Sequence, residues 1–459
     1  MATSGLDPNL VGRVIGPDDG DYDNARTVFY GGIDRRPAAI VRPANADQIA
    51  RVVSGARESG LELAIRSGGH SIAGDSVCDG GIVLDLSEMR ALEIDPEART
   101  AWAQTGLTAR EYTNAAAAHS LATGFGDTGS VGIGGLTLGG GVGFLSRAFG
   151  LTIDDLLAAE IVTAGGETLE VDADSHPDLF WAIRGGGGNF GVATRFKFRL
   201  HELDGVVGGM LVLPAEAEVV RSFVAEAEAA PDELSTIANV VPAPPMPLIP
   251  AEHHGRLVVM GLLCYAGPPE DAAGVLDRFR SLAAPIADMV RPIPYPEIFP
   301  PDMEDLHPTA IGHTMFLDSV DQDVAEMIIE RLESSDATMR ATQLRVLGGA
   351  VARVPSDATA YPHRGSRIMT NVAAFYDGPE DKPVREAWVN ELAADLRQED
   401  SGAYVNFLGE DGAGRIHDAY PGATWERLTA VKARYDPTNL FRLNQNIQPA
   451  SEETKRPPA

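Results

Sequence analysis

Residues 65–71 read IRSGGHS, and residues 128–155 read TGSVGIGGLTLGGGVGFLSRAFGLTIDD. Glycine lacks a Cβ, so it reaches positive φ and lets two backbones approach closely. Clustered N–H groups in such segments form concavities that hold anions, and a diphosphate is the guest that suits them. The first stretch follows a strand expected over Leu61–Ile65. A dinucleotide fingerprint would need G-x-G-x-x-G between a strand and a helix early in a βαβ unit, with an acid about twenty residues on. Gly139–Gly143 (GGGVG) is not framed that way, and neither stretch ends in the GK[ST] of a P-loop. Two readings stand beside those: the glycines simply make tight turns, or they build a non-Rossmann diphosphate site for a large cofactor. Two dense clusters in one region favour the cofactor.

His70 sharpens that choice. It is flanked by Gly68-Gly69 and Ser71, at the tip of the loop rather than on an apolar face. A lone loop histidine is most often just solvent-exposed. Here the imidazole has a chemical use, because a neutral ring nitrogen can attack the 8-methyl position of a tautomerised isoalloxazine and fix FAD permanently. Such a bond raises the flavin's reduction potential and favours hydride abstraction from poor donors.

The rest of the chain sets the frame. It has 459 residues, enough for two to three domains. Its 44% hydrophobic and 22% charged residues are those of an ordinary globular protein. The net charge of −29 would repel a phosphate backbone or an anionic membrane, which argues against nucleic-acid and membrane partners. Lysines are few (Lys197, Lys382, Lys432, Lys455), as in GC-rich genomes or salt-rich cytoplasms. The N-terminus, MATSGLDPNLVGRV, does not have the pattern of a signal peptide, and no apolar run is long enough to span a bilayer. Cys78 and Cys264 fit no metal-ligand spacing and read as buried thiols. A soluble cytoplasmic protein is expected, without a metal site.

The fold class expected is α+β. Ala38–Val41, Leu61–Ile65 and Gly81–Leu86 read as short strands, with a helix capped by Asn45 and Gln48 running to about Arg57. Thr108–His119 reads as a helix, AAEIVTAGGETLEV as two strands about a Gly165-Gly166 turn, and Thr194–Leu200 as a half-buried strand. Beyond residue 203 the texture changes to strands at 208–213, 257–265, 343–348 and 368–376. Helices are expected at 215–229, 269–283, 320–335 and 383–397, with a proline-rich connector at 240–254. This middle block reads as an inserted α+β domain on a largely antiparallel sheet. The boundaries expected are 1–202, 203–400 and a tail, 401–459, that returns to the first domain.

Three segments of the N-terminal 200 residues, at 66–89, 129–155 and 181–200, resemble the FAD-linked oxidases of the vanillyl-alcohol-oxidase fold, whose FAD-binding domain is of the PCMH type. The tail, YVNFLGEDG at 404–412 and YDPTNLFRLNQNIQP at 435–449, resembles the berberine-bridge-enzyme-like subgroup. The resemblance implies a flavin bonded to His70, with Arg66, Ser67, Gly68, Gly69 and Ser71 cradling the diphosphate. It implies that Gly129, Ser130, Gly132, Gly134, Gly135, Gly140 and Gly143 line the cofactor. Ile161 and Val162 would lie near the adenine end, and Asn446 near the ring.

Many members of the subgroup carry a second link, through a cysteine, and Thr128 stands at that position here. A single histidyl linkage is therefore expected, with a lower potential and a less open cleft than in doubly linked relatives. The residue that gates oxygen in the family is Val131, whose small size accompanies oxidase behaviour, with O2 as electron acceptor and a small organic molecule as substrate. Tyr404 and Asn406 are the candidates for base and orienting group, expected on one strand with side chains on one face. The tyrosine reads equally well as a packed support. His313, His363, Arg364, Asn371 and Tyr376 are further contributors to the cleft, each more often structural, with Arg364 suited to a carboxylate.

Overall fold

Asn45 caps the helix Ala46–Ser59 by accepting from the Gln48 N–H at 3.0 Å, while the Gln48 side chain reaches back to accept from the Ala44 N–H at 2.7 Å. The helix ends at Gly60, whose φ of +67° provides the left-handed cap. Thr108 and Glu111 close a capping box at the start of the helix Ala109–Ala117. Local chemistry of this kind sets the elements of a computed structural model that describes residues 11–301, 306–409 and 412–450. The first ten residues, where the targeting signal was sought, lie outside the described residues, as do Glu410, Asp411 and Lys455.

Three sheets matter for the site. The first has the order Arg13–Ile15, Ala39–Arg42, Ile82–Asp85, Leu63–Arg66, with its last three strands parallel. IRSGGHS therefore leaves the carboxyl end of an edge strand. The second is antiparallel, in the order Leu92–Asp95, Thr100–Gln104, Val192–Arg199, Leu156–Val162, Thr168–Asp172.

The third sheet is wholly antiparallel and spans the middle of the chain. Leu234–Pro242, Arg340–Val346, Ile368–Phe375 and Ala310–Leu317 run in that order from its middle to one edge. Period-two alternation divides its residues between two faces. Leu344, Val346, Val372 and Ala374 pack with Ile328 and Leu332 of the helix Gln322–Ser334 and Val389 and Leu392 of the helix Lys382–Asp395. Gln343, Arg345 and Asn371 take the opposite face.

The expected α+β class holds, and most elements fall within a few residues of their expected limits. Two departures have physical reasons. The connector expected over 240–254 begins inside a strand, because Val240, Val241 and Pro242 complete the pairing with Val259, Val258 and Leu257. Tyr404 and Asn406 stand on a 3-10 turn, Val405–Phe407, rather than on a strand. The strands Arg13–Ile15, Leu92–Asp95, Thr100–Gln104, Leu234–Pro242 and Ala310–Leu317 are among those that went unread.

The tail is anchored by a buried ion pair. The ammonium of Lys432 is wholly buried and donates to Asp436 Oδ2 at 2.7 Å, to the Asn189 carbonyl at 2.8 Å and to the Phe441 carbonyl at 2.9 Å. Asp436 in turn accepts the N–H groups of Leu440 and Phe441. Removing one member of such a pair leaves an uncompensated buried charge, costing about 3–5 kcal/mol. Lys432→Met is accordingly expected to lower the urea-unfolding free energy by about that amount. An equilibrium curve that overlays the parent's would show the clamp to be inert.

Candidate active site

The two glycine stretches meet backbone to backbone. A Cβ at Gly68 would collide with the Gly132 amide nitrogen, and one at Gly132 with the Gly68 nitrogen and the Ser67 hydroxyl. Ser67 binds the junction together, its Oγ donating to the Thr105 carbonyl at 2.6 Å and accepting the Gly134 N–H at 3.3 Å. Gly69, at φ +70°, then turns the chain so that His70 stacks on Phe29, with ring centroids 4.2 Å apart and planes within 19°. The loop beyond is held by Arg35, which donates to the carbonyls of Ala73, Gly74 and Val77.

These loops form one wall of a cavity of about 510 Å³, within the ~300–1,000 Å³ of cofactor and ligand sites. A second wall is the turn Gly187–Asn189 with Gly191, a third the tail residues Phe441, Leu443, Asn444 and Gln445, and the sheet face bearing Gln343, Arg345 and Asn371 closes it over. A Cβ at Gly135 would meet nothing within 4 Å, so this backbone stands open toward the cavity. Leu63, Ile65, Leu86, Ala193, Phe441 and Leu443 supply an apolar lining. Bare amides beside an apolar slot fit a long molecule with a diphosphate and flat rings. Asn444, whose buried Oδ1 has no hydrogen bond, offers an acceptor at the tail rim. Among the described residues no group of His, Cys, Asp or Glu could hold a metal ion.

Of the residues singled out above, Ser67, Gly68, Gly69, His70, Ser71, Thr128, Val131, Gly132, Gly134, Gly135, Asn371, Tyr404 and Asn406 reach this cavity. The others stand off its wall, each for a visible reason. Arg66 is turned into the protein, donating to Asp85 Oδ2 at 2.8 Å and to the Ala25 carbonyl at 2.5 Å. Gly129 packs on the Arg110 guanidinium, and Ser130 follows it on the same turn, outside the lining. Gly140 packs on Tyr404 and Tyr361, and Gly143 on the Gly126 backbone. Ile161 and Val162 lie behind Gly191, which forms the wall in front of them. Asn446 lies just past the lining residues Asn444 and Gln445.

Arg364 is consumed by a bidentate pair with Asp154, both bonds 2.8 Å, and by Thr359. His363 is buried with Nε2 against the Ala419 carbonyl at 3.0 Å, and burial lowers its pKa. His313 and Tyr376 are not among the lining residues. Cys78 and Cys264 are free and buried; burial raises the Cys78 thiol to about 11, so it stays protonated.

Tyr404 and Asn406 do meet, although on a turn. The phenol oxygen of Tyr404 accepts from the Gly141 N–H at 2.8 Å, the Val142 N–H at 3.4 Å and Asn406 Nδ2 at 2.9 Å. Asn406 Nδ2 also donates to the Leu136 carbonyl at 3.0 Å. Burial raises the Tyr404 pKa against these donors and the nearby Arg345. A phenol oxygen offers two lone pairs, and three donors already crowd them. The geometry suits a support for the glycine-rich turn better than a proton acceptor.

Sequence reading missed Phe29, Tyr30, Asp75, Asp127, Asn189, Gln343, Arg345 and Phe407 on the same wall. Among the described residues, Asp75 and Asp127 are its two carboxyls. Asp127 is taken by Arg345 and by the Thr128 hydroxyl. Burial raises the Asp75 pKa, with Arg35 pulling the other way. No local pattern in the sequence marked any of them.

A cavity walled by glycine amides at the carboxyl end of a parallel strand, with a histidine on its rim, defines an FAD-linked oxidoreductase. Residues 37–172 match the FAD binding domain family and residues 403–448 the berberine and berberine-like family. (R)-6-hydroxynicotine oxidase of Paenarthrobacter nicotinovorans is 30% identical over 96% of this chain and 97% of its own. An FAD-linked oxidoreductase of Dictyostelium discoideum is 30% identical over 90% of this chain and 89% of its own. The crystal structure of 6-hydroxy-D-nicotine oxidase from Arthrobacter nicotinovorans superposes with a TM-score of 0.86 at 28% identity, covering 97% of this chain and all (100%) of that one. The berberine-bridge-enzyme-like protein 1 of Physcomitrella patens shares the fold, with a TM-score of 0.85 at 23% identity over 96% and 97% of the two chains. The chain belongs to the berberine-bridge-enzyme-like family of FAD-linked oxidoreductases, on the vanillyl-alcohol-oxidase fold.

The junction of the glycine loops can be tested directly. Gly68→Ala is expected to force the loops apart and lower the flavin bound per chain by severalfold, read as the ratio of visible to 280 nm absorbance. Full flavin occupancy in a folded Gly68→Ala protein would show that the contact is dispensable.

Proposed function

We propose that this protein is an oxidase that holds FAD covalently through His70 and passes a hydride from a small organic substrate, by way of that cofactor, to O2, yielding H2O2. The observation that carries the attachment is His70 itself: it lines the cavity, on the glycine loop, with its ring set by the stack on Phe29. Thr128 also lines the cavity, where a second link would need a cysteine, and this supports a single histidyl bond. Val131 on the same wall supports access of O2. The chain reads as a two-part FAD domain, 1–202 and 401–459, with a substrate domain at 203–400 between them.

Bound FAD supplies the hydride acceptor. The chain's own tasks are to hold the substrate C–H in place, to keep water out and to accept the substrate's proton. Tyr404 and Asn406 fix the turn that carries Leu136 and Gly141. Asp75 is the proton acceptor in this reading: its carboxyl lines the cavity, takes no hydrogen bond from any described side chain, and has a pKa raised toward that of a working base. The substrates covered are alcohols, sugars, amines and specialised metabolites. The alternatives are a dehydrogenase using another acceptor, which would bleach with substrate and stay bleached in air until a quinone is added, and a flavin-binding protein with little turnover, which no donor would bleach.

The attachment is tested by acid precipitation. The parent pellet is expected to remain yellow, whereas His70→Ala protein should release its FAD to the supernatant or carry none. A parent pellet that loses all its flavin would end the covalent claim. The base is tested by pH. An acid whose pKa is raised is protonated below that pKa, so kcat/KM should fall as pH drops through it. Asp75→Asn should abolish this acid limb and cost about 10²–10⁴-fold in kcat; an unchanged limb assigns the proton to another group.

A further inference from the structure

Among the described residues lining the cavity, Arg345 is the one arginine, and no lysine lines it. It rises from the strand Arg340–Val346 and is only 4% exposed. Three contacts hold its guanidinium. Nε donates to Gln343 Oε1 at 2.8 Å, Nη2 pairs with Asp127, and the plane stands 5.3 Å from the Phe407 ring centre. Gln343 is itself fixed, donating to Asn239 Oδ1 at 2.7 Å. Nη1 is buried and has no hydrogen bond. Across the sheet, Asn371 lies in register with Gln343, and its Oδ1 is likewise buried without a partner. An unmet donor on a rigid, desolvated guanidinium is costly, and a polar ligand atom in the cavity would relieve it.

The charge of that ligand follows from Asp127. Its carboxylate cancels Arg345, and Thr128 Oγ1 donates to Asp127 Oδ1 at 3.1 Å, so the acid is held where it is. The remaining carboxyl on the wall, Asp75, adds negative charge. No net positive charge is left to repay desolvation of an anion, and a carboxylate beside Nη1 would face Asp127 as well.

We propose that Arg345 is a specificity-determining residue: its Nη1 donates to an uncharged hydroxyl or carbonyl oxygen of the substrate, while Asp127 excludes carboxylates. This rests on the oxidoreductase reading above and names the substrate class within it.

Three probes with one ring and different charge test it: benzyl alcohol, benzylamine and benzoate. Each is titrated anaerobically into the flavin-loaded protein, and Kd is read from the shift of the flavin spectrum. The parent is expected to bind benzyl alcohol at least about tenfold more tightly than benzoate, the factor of one charge-assisted hydrogen bond. Arg345→Met should weaken benzyl alcohol by about tenfold at unchanged flavin content. Asp127→Asn should tighten benzoate by about tenfold relative to benzyl alcohol, which keeps the test alive should Arg345→Met misfold. Benzoate binding as tightly as the alcohol to the parent, benzylamine binding most tightly, Asp127→Asn giving benzoate no gain, or no shift with any probe would each overturn the proposal. A preparation without flavin would instead overturn the oxidoreductase reading, so the two failures are distinct.

Discussion

The active site depends on one close approach, the backbone contact between Gly68 and Gly132. Neither position has room for a Cβ, because each glycine would drive that atom into the other loop's amide. Ser67 ties the junction with a single hydroxyl that donates to one loop and accepts from the other. From this junction the chain runs one way to His70 and the other to the open backbone at Gly135. A cofactor cradle assembled from bare peptide amides needs no lysine or arginine for a diphosphate, and this matches the uncharged glycine walls found here.

The sheet of the middle segment meets that cradle through strand parity. Along Arg340–Val346 the apolar residues Leu344 and Val346 face the helices, and Gln343 and Arg345 face the cavity. A slip of one residue would exchange the faces and bury the guanidinium among aliphatic side chains. The polar row of Asn239, Gln343 and Asn371 is thus tied to the register that builds the hydrophobic core. The tail supplies the last wall through Lys432, whose ammonium joins the Asn189 turn to Phe441. Phe441 and the residues after it are held against the cavity by the buried ammonium nine residues earlier in the chain, and by Asp436 beside it.

Much of this was readable in the linear chain. Asn45 and Thr108 mark helix starts by chemistry confined to a few residues, and the helices start where those caps stand. The paired glycine stretches pointed to a large anionic cofactor, and His70 to the loop's tip. The strand Leu234–Pro242 escaped because it is buried on both faces, so LSTIANVVP lacks the alternation of a half-exposed strand. Tyr404 and Asn406 were placed correctly side by side but on the wrong element, since a 3-10 turn held by Gly141 and Leu136 leaves no periodic trace. Arg66 and Arg364 looked like ligand-binding groups and are bound instead by Asp85 and Asp154, partners 19 and 210 residues away.

By itself the sequence determined the fold class, the glycine loops and the histidine on one of them, because each rests on local backbone chemistry or short-range period. Only the tertiary structure decided which arginine faces the cavity, which carboxyl takes no hydrogen bond from a described side chain, and which glycines open toward a guest. Those outcomes depend on long-range pairing: Arg345 meets Asp127 across 218 residues, and Lys432 meets Asn189 across 243. A side chain's chemistry is set by the partner it finds on folding, and that partner is not written next to it.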